Sequence, residues 1–135
     1  MRQRNGRARA RRDRDRAAHA RVVAALRRAA GAGDRDAVRA LVEPAATLWV
    51  DAAGSAAATP GVVEGADETA RALSRILHPG PGVEVVVCSV NGLDGLVVRH
   101  DGVVTGVVSV AVRSERVSEA WVVLSPPKLE RWNRD

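Results

Sequence analysis

Between residues 83 and 124 the chain is built from valine-rich blocks, 83–90, 93–99, 103–112 and 117–124, separated by short polar breaks. β-Branched residues at this density favour an extended, pleated backbone. The breaks carry hairpin chemistry. Asn91-Gly92 and His100-Asp101-Gly102 supply residues that tolerate positive φ, and Arg113-Ser114-Glu115-Arg116 makes a third turn. The pattern predicts an antiparallel meander of four strands, one face of which needs an apolar cover.

Upstream the apolar period lengthens. Ala18, Val22, Leu26 and Ala29 or Ala30 recur every three or four residues while Arg16, Arg21, Arg27 and Arg28 take the other faces, predicting an amphipathic helix over 15–30. Gly31 and Gly33 end it. Asp34 is placed to cap a second, short helix with Val38, Leu41 and Val42 as its apolar positions, and Pro44 stops that helix. Residues 46–51 then read as a strand on which Trp49 and Asp51 share a face, although period-two geometry does not say which way that face points. A Gly/Ser/Ala/Thr/Pro loop fills 52–61. A third helix is predicted over 66–77, with Ala70, Leu73, Ile76 and Leu77 as its stripe and Asp67 and Glu68 in its first turn. His78-Pro79-Gly80-Pro81-Gly82 breaks it, and after the meander Pro126-Pro127 takes the chain out of the last strand. Helix, helix, strand, helix and meander in that order predict an α+β fold with helices on one face of a curved sheet. The layout is one domain over residues 15–135. Residues 1–14 have no apolar spacing that could be buried and are expected to be a disordered Arg-rich arm.

Composition narrows what such a domain can do. Without Phe or Tyr, and with Trp49, Trp121 and Trp132 as its aromatics, the core must be Val, Leu and Ala, and platforms for stacking bases are scarce. The Arg, Ala, Val and Gly bias reads as a GC-rich genome. Net charge is +5, yet eleven Arg against Asp13 and Asp15 put +9 on residues 1–30, which leaves −4 on the remainder. The basic character therefore belongs to the arm. Residues 1–16 could make weak, nonspecific contacts with nucleic-acid phosphates, or form a solvated leader. Cys88, alone, cannot form an internal disulfide; it reads as a small buried hydrophobe and fits a reducing compartment. No apolar run reaches the roughly 20 residues of a membrane-spanning helix, and the start of the chain lacks a signal-peptide core, so a cytoplasmic location without membrane contact is expected.

Several stretches resemble the ketosteroid-isomerase-like superfamily, also called nuclear transport factor 2-like, and within it the SnoaL-like domains. Val22-Val23-Ala24-Ala25-Leu26, Gly33-Asp34, Asp36-Ala37-Val38 and Leu41 look like the family's first two helices, and Gly65-Ala66-Asp67 like the start of its third. The run from Val90-Asn91-Gly92-Leu93-Asp94-Gly95 to Arg99, with the ending Ser125-Pro126-Pro127-Lys128-Leu129, is similar to the SnoaL-like domain at the C-terminus of actinobacterial extracytoplasmic-function sigma factors. There the ending is typically Asn-Pro-Asp-Lys-Leu, and the loop after the first strand Asp-Gly-Gly-Gly-Lys. Here that loop reads Asp51-Ala52-Ala53-Gly54-Ser55, and the sigma regions that bind DNA and polymerase are not found. The resemblance covers about residues 17–130. It implies a cone-shaped, curved antiparallel sheet packed against about three N-terminal helices, and a stand-alone or detached regulatory domain.

Catalytic members of that superfamily use a first-strand carboxylate as general base in an apolar pocket, and Asp51 matches its position. Such a pocket would raise the carboxyl pKa. Trp49, Val22, Leu26 and Leu73 are the expected pocket residues. The oxyanion donors do not match. Leu26 and, approximately, Ser109 stand where the isomerases place a Tyr and a protonated Asp, and losing one such donor costs on the order of 100-fold in rate. Ser109 could still donate one bond. Asp51 also reads as a strand-end carboxylate capping the loop at Gly54-Ser55, and Trp49 as a core residue. Trp121 shares its face with Glu119 and Val123, so it lies either on the outer side of the sheet, marking a dimer surface, or in the core. His19, His78 and His100 lack metal-ligand spacing and read as solvated polar residues. Neither a phosphate loop nor a nucleophile elbow occurs, and no cofactor is implied. The expected function is a non-catalytic, small-molecule-binding or regulatory domain that pairs through its sheet into a homodimer. The alternative is a cyclase, isomerase or hydrolase acting on a small hydrophobic, polyketide- or steroid-like substrate with Asp51 as base.

Overall fold

The meander forms as its turns dictate. In the computed structural model, which describes residues 2–53 and 61–134, strands β3 (Val83–Val90), β4 (Leu93–His100), β5 (Val103–Arg113) and β6 (Arg116–Val123) pair in sequence, each antiparallel to the next. Asn91 and Gly92 have φ of 52° and 84°, and Asp101 and Gly102 of 51° and 84°, the left-handed pair that a tight two-residue hairpin needs. Ser114 and Glu115 adopt the same geometry at 51° and 60° without a glycine.

Two further strands extend the sheet beyond β6. β1 (Val42–Asp51) lies parallel to β6, and β2 (Val62–Glu64), which the apolar pattern does not reveal, lies antiparallel on the outer edge of β1, giving the order β2-β1-β6-β5-β4-β3. The sheet is therefore mixed rather than wholly antiparallel. Pro44 falls inside β1 instead of ending a helix, in the irregular stretch between the Val42 and Thr47 pairings, where its missing N–H breaks no regular ladder bond. Register shifts in β1, between Val98 and Arg99 and between Ala111 and Val112, add twist and curve the open sheet.

Helices α1 (Arg2–Gly31), α2 (Arg35–Ala40) and α3 (Ala66–Ile76) cover one face, called inner here. Asp34 caps α2 by accepting a 3.0 Å bond from the Ala37 N–H. Leu26, Val38, Leu48, Leu73, Leu77, Leu96, Val108, Val117 and Val122 are fully buried between helices and sheet, so aliphatic side chains dominate the core. α1 starts well before residue 15. Its described residues 5–17 are almost all exposed, and arginine and alanine, strong helix formers, continue the helix without an apolar stripe. His19 departs from the expectation of a solvated residue: it is buried, with Nε2 2.9 Å from the Val110 carbonyl, because it occupies the α1 stripe one turn before Val22 and Val23.

The opposite, outer face is covered over part of its width by a C-terminal hook made of α4 (Pro126–Leu129) and a 3-10 turn (Glu130–Asn133). Leu129 and Trp132 pack with Val97, Val104 and Val107 in a second apolar cluster that also takes in Val86, Val90 and half-buried Cys88. The Asn133 side chain fastens the hook like a short strand, accepting from Val104 N–H at 2.7 Å and donating to the Val104 carbonyl at 3.2 Å.

Candidate functional site

Alternation on β1 sends Ala46, Leu48 and Val50 inward, which puts Trp49 and Asp51 on the outer face. The pairings of β1 with β6 and of β6 with β5 then set Trp49, Trp121 and Ser109 side by side in one row across three strands, and Asp51, Val123 and Val107 in the next. The Trp49 and Trp121 rings stack, centroids 5.7 Å apart and planes 10° from parallel, yet remain 37% and 39% exposed. Of the two readings of Trp121, the structure shows the outer one. Trp49 joins it there instead of entering the core.

Asp51 is held by the hook. Its Oδ2 accepts a hydrogen bond from Lys128 Nζ, and its Oδ1 accepts from the Ala53 N–H at 3.3 Å. The Lys128 ammonium, followed by the Ala53 amide, holds the Asp51 carboxyl below the ordinary aspartate value. The direction is opposite to the rise an apolar pocket would cause, because this carboxylate has a cation for a neighbour. The loop at Gly54-Ser55, which Asp51 was expected to cap, lies outside the described residues.

Between the hook and the Trp row lies a cleft of about 440 Å³, with Val107, Ser109 and Val123 as floor and Lys128, Arg131 and Trp132 as wall. Asp51 borders it through Lys128. Of the residues expected to form one pocket, Trp49, Asp51 and Ser109 come together on the outer face, while Val22, Leu26 and Leu73 lie on the inner side, 3%, 0% and 0% exposed. The sheet separates the two groups. Lys128, Arg131 and Trp132 were not anticipated as site residues. Lys128 did carry a signal, being the lone lysine of a chain that otherwise uses arginine.

Chemically, the outer face combines a flat aromatic stack, an apolar-floored cleft and cations at its rim. Such a surface can bind another surface or a small molecule. As a proton acceptor Asp51 is weak, since its charged form is the one stabilised. Among the described residues no group of three or more His, Cys, Asp or Glu is placed to hold a metal ion, and no helix is long and apolar enough to cross a membrane.

No protein-family model matches the chain, and no curated relative does. Solved structures do. The chain is similar to the extracytoplasmic-function sigma factor SigJ of Mycobacterium tuberculosis, with 24% identity and a TM-score of 0.61 over 83% of this chain and 44% of that one. It thus spans less than half of the sigma factor. An NTF-2 like protein of unknown function from Burkholderia xenovorans LB400 shares 19% identity and a TM-score of 0.57, covering 90% of this chain and 97% of the other. IdmH, a suspected polyketide cyclase from Streptomyces antibioticus, shares 16% identity and a TM-score of 0.53 over 77% and 89% of the two chains. At these identities the likeness is one of fold.

Proposed function

We propose that this chain, which has the nuclear transport factor 2-like fold, is a non-catalytic regulatory binding domain that works as a homodimer through the outer face of its sheet. The observation that carries this reading is the Trp49–Trp121 stack, which lies beside the C-terminal hook and remains over a third exposed. The hook covers the β3–β4–β5 side of the outer face and leaves the β1–β6 side open, so a second copy has a flat aromatic surface to cover. Charges of both signs surround that surface, including the Asp51–Lys128 pair and Glu119, and two-fold pairing sets such a surface against itself with opposite charges within reach. The helix-facing side supports the same reading, since Val22, Leu26 and Leu73 are packed there as core instead of lining a pocket with Asp51.

The enzyme reading rests on the cleft bordered by Asp51 and Ser109 and on the likeness to a suspected polyketide cyclase. Two measurements separate the two. Sedimentation equilibrium of the full chain and of Trp121→Ala should show a dimer that the substitution dissociates. Turnover of a small polyketide-like ketone should be undetectable in the wild type; turnover that disappears in Asp51→Asn would reverse the assignment.

A further inference from the structure

Away from the outer face, the C-terminal end of α1, the start of α2 and the exposed side of α3 enclose a groove of about 480 Å³. Arg35, Arg71, Arg75, Ser74 and His78 line it. Among the described residues none of the three arginines has an ion-pair partner. Two neighbouring carboxylates are engaged elsewhere: Asp67, one turn before Arg71, is bonded to Arg39 at 2.5 Å, and Asp34 caps α2. For two of the arginines one local interaction opposes the charge, although Asp67 and Glu68 lie a turn before Arg71. Arg35 is the first residue of α2, where the helix dipole disfavours positive charge, and Arg71 has the like charge of Arg75 one turn further on. Arg75 and His78, at the other end of α3, do have the dipole in their favour. Ser74 also lines the groove, with its Oγ buried beneath the surface and making no hydrogen bond.

We infer that this groove is an anion site for the phosphate or diphosphate group of a small organic molecule. Guanidinium groups present planar forks of N–H donors that match phosphate oxygens two at a time. The groove is far larger than one phosphate and falls within the range of roughly 300–1,000 Å³ typical of small-molecule sites, so an organic moiety has room beside the anion. Its walls come from three helices. A linear polyanion would instead find its charges on the exposed arginines of α1, whose N-terminal half lies at the opposite end of a 30-residue helix.

The test is calorimetric titration of the full chain with inorganic pyrophosphate at about 0.15 M salt, where contacts with isolated surface charges are largely screened. Saturable one-to-one binding is expected. Arg71→Gln with Arg75→Gln should weaken it at least about tenfold, the scale of losing a charge-assisted hydrogen bond. Arg7→Gln, Arg11→Gln and Arg12→Gln together should leave it unchanged. Absence of saturable binding, or an equal loss from the α1 substitutions, would overturn the assignment. Both α3 substitutions exchange one exposed, helix-favouring residue for another, so a matching thermal melt confirms that the fold is retained.

Discussion

Trp121→Ala is the substitution on which the dimer reading stands or falls. A tryptophan offers on the order of 250 Å² of surface. With Trp121 39% exposed, about 100 Å² remains open, worth about 2.5 kcal/mol at 25 cal/mol per Å² once a partner covers it. Two-fold symmetry removes the ring from both copies at once, so the substitution should cost the dimer about 5 kcal/mol, several thousandfold in Kd. The effect on the single copy should be far smaller: the ring already faces water on one side, and its main loss is the stack with Trp49, worth about 1 kcal/mol. Sedimentation equilibrium across the micromolar range, with a thermal melt on the same samples, measures the two effects separately. Near-UV circular dichroism supplies a third reading, since two indoles 5.7 Å apart and nearly parallel couple their transitions and a lone Trp49 cannot. A wild type that sediments as a monomer throughout, or a variant whose Kd stays within a few-fold of the wild type, would refute the reasoning.

Three other substitutions probe the rest of the molecule. Leu26→Ala removes a fully buried side chain at the centre of the inner core and should lower unfolding free energy by about 3 kcal/mol, read from denaturant titration. Gly95→Ala should destabilise by about 1–3 kcal/mol, because the added Cβ would lie 2.8 Å from the Val108 carbonyl oxygen and 2.6 Å from a Val90 methyl; an unchanged melting temperature would show that β4 and β5 sit further apart than described. Asp51→Asn tests the hook through pH. The folded Asp51 has a lowered pKa, so its ion pair contributes stability above the ordinary value of 3.8 and loses it as pH falls through the folded value. The melting-temperature gap between wild type and Asp51→Asn should therefore be present at neutral pH and close in acid; a gap independent of pH would contradict the pairing with Lys128.

Local chemistry was legible wherever it decides structure locally. Asn91-Gly92 and Asp101-Gly102 announce their turns because few residues accept positive φ, and valine density announces the strands between them. Asp34 announces its cap for the same kind of reason. β2 escaped notice because three residues on an edge, two of them exposed, carry too short a pattern. Pro44 misled, since a proline past the first turn stops a helix, while in a strand it is tolerated where the ladder is irregular. The site was legible only in part. Period two establishes that Trp49 and Asp51 share a face, but the direction of that face follows from the parallel pairing of β1 with β6, a contact between segments some seventy residues apart. Lys128 meets Asp51 across 77 residues, and no local pattern encodes such a meeting.

That distant meeting also determines what the outer face is. Lys128 projects from a hook otherwise held by Leu129 in the second cluster and by Asn133 on Val104, so the hook is fixed at its near end to Asp51 and at its far end to β5. The cleft exists only with the hook in place, since Lys128, Arg131 and Trp132 form its wall. The boundary of the open Trp surface is set by the same segment. Cleft and Trp surface therefore depend on one anchoring, and a ligand that enters beside Ser109 would meet the side chain next to Trp121 in the same row. If occupancy of the cleft alters pairing of two copies, pairing alters occupancy by the same factor. On the proposed reading, a small molecule entering beside Ser109 would shift the balance between one copy and two.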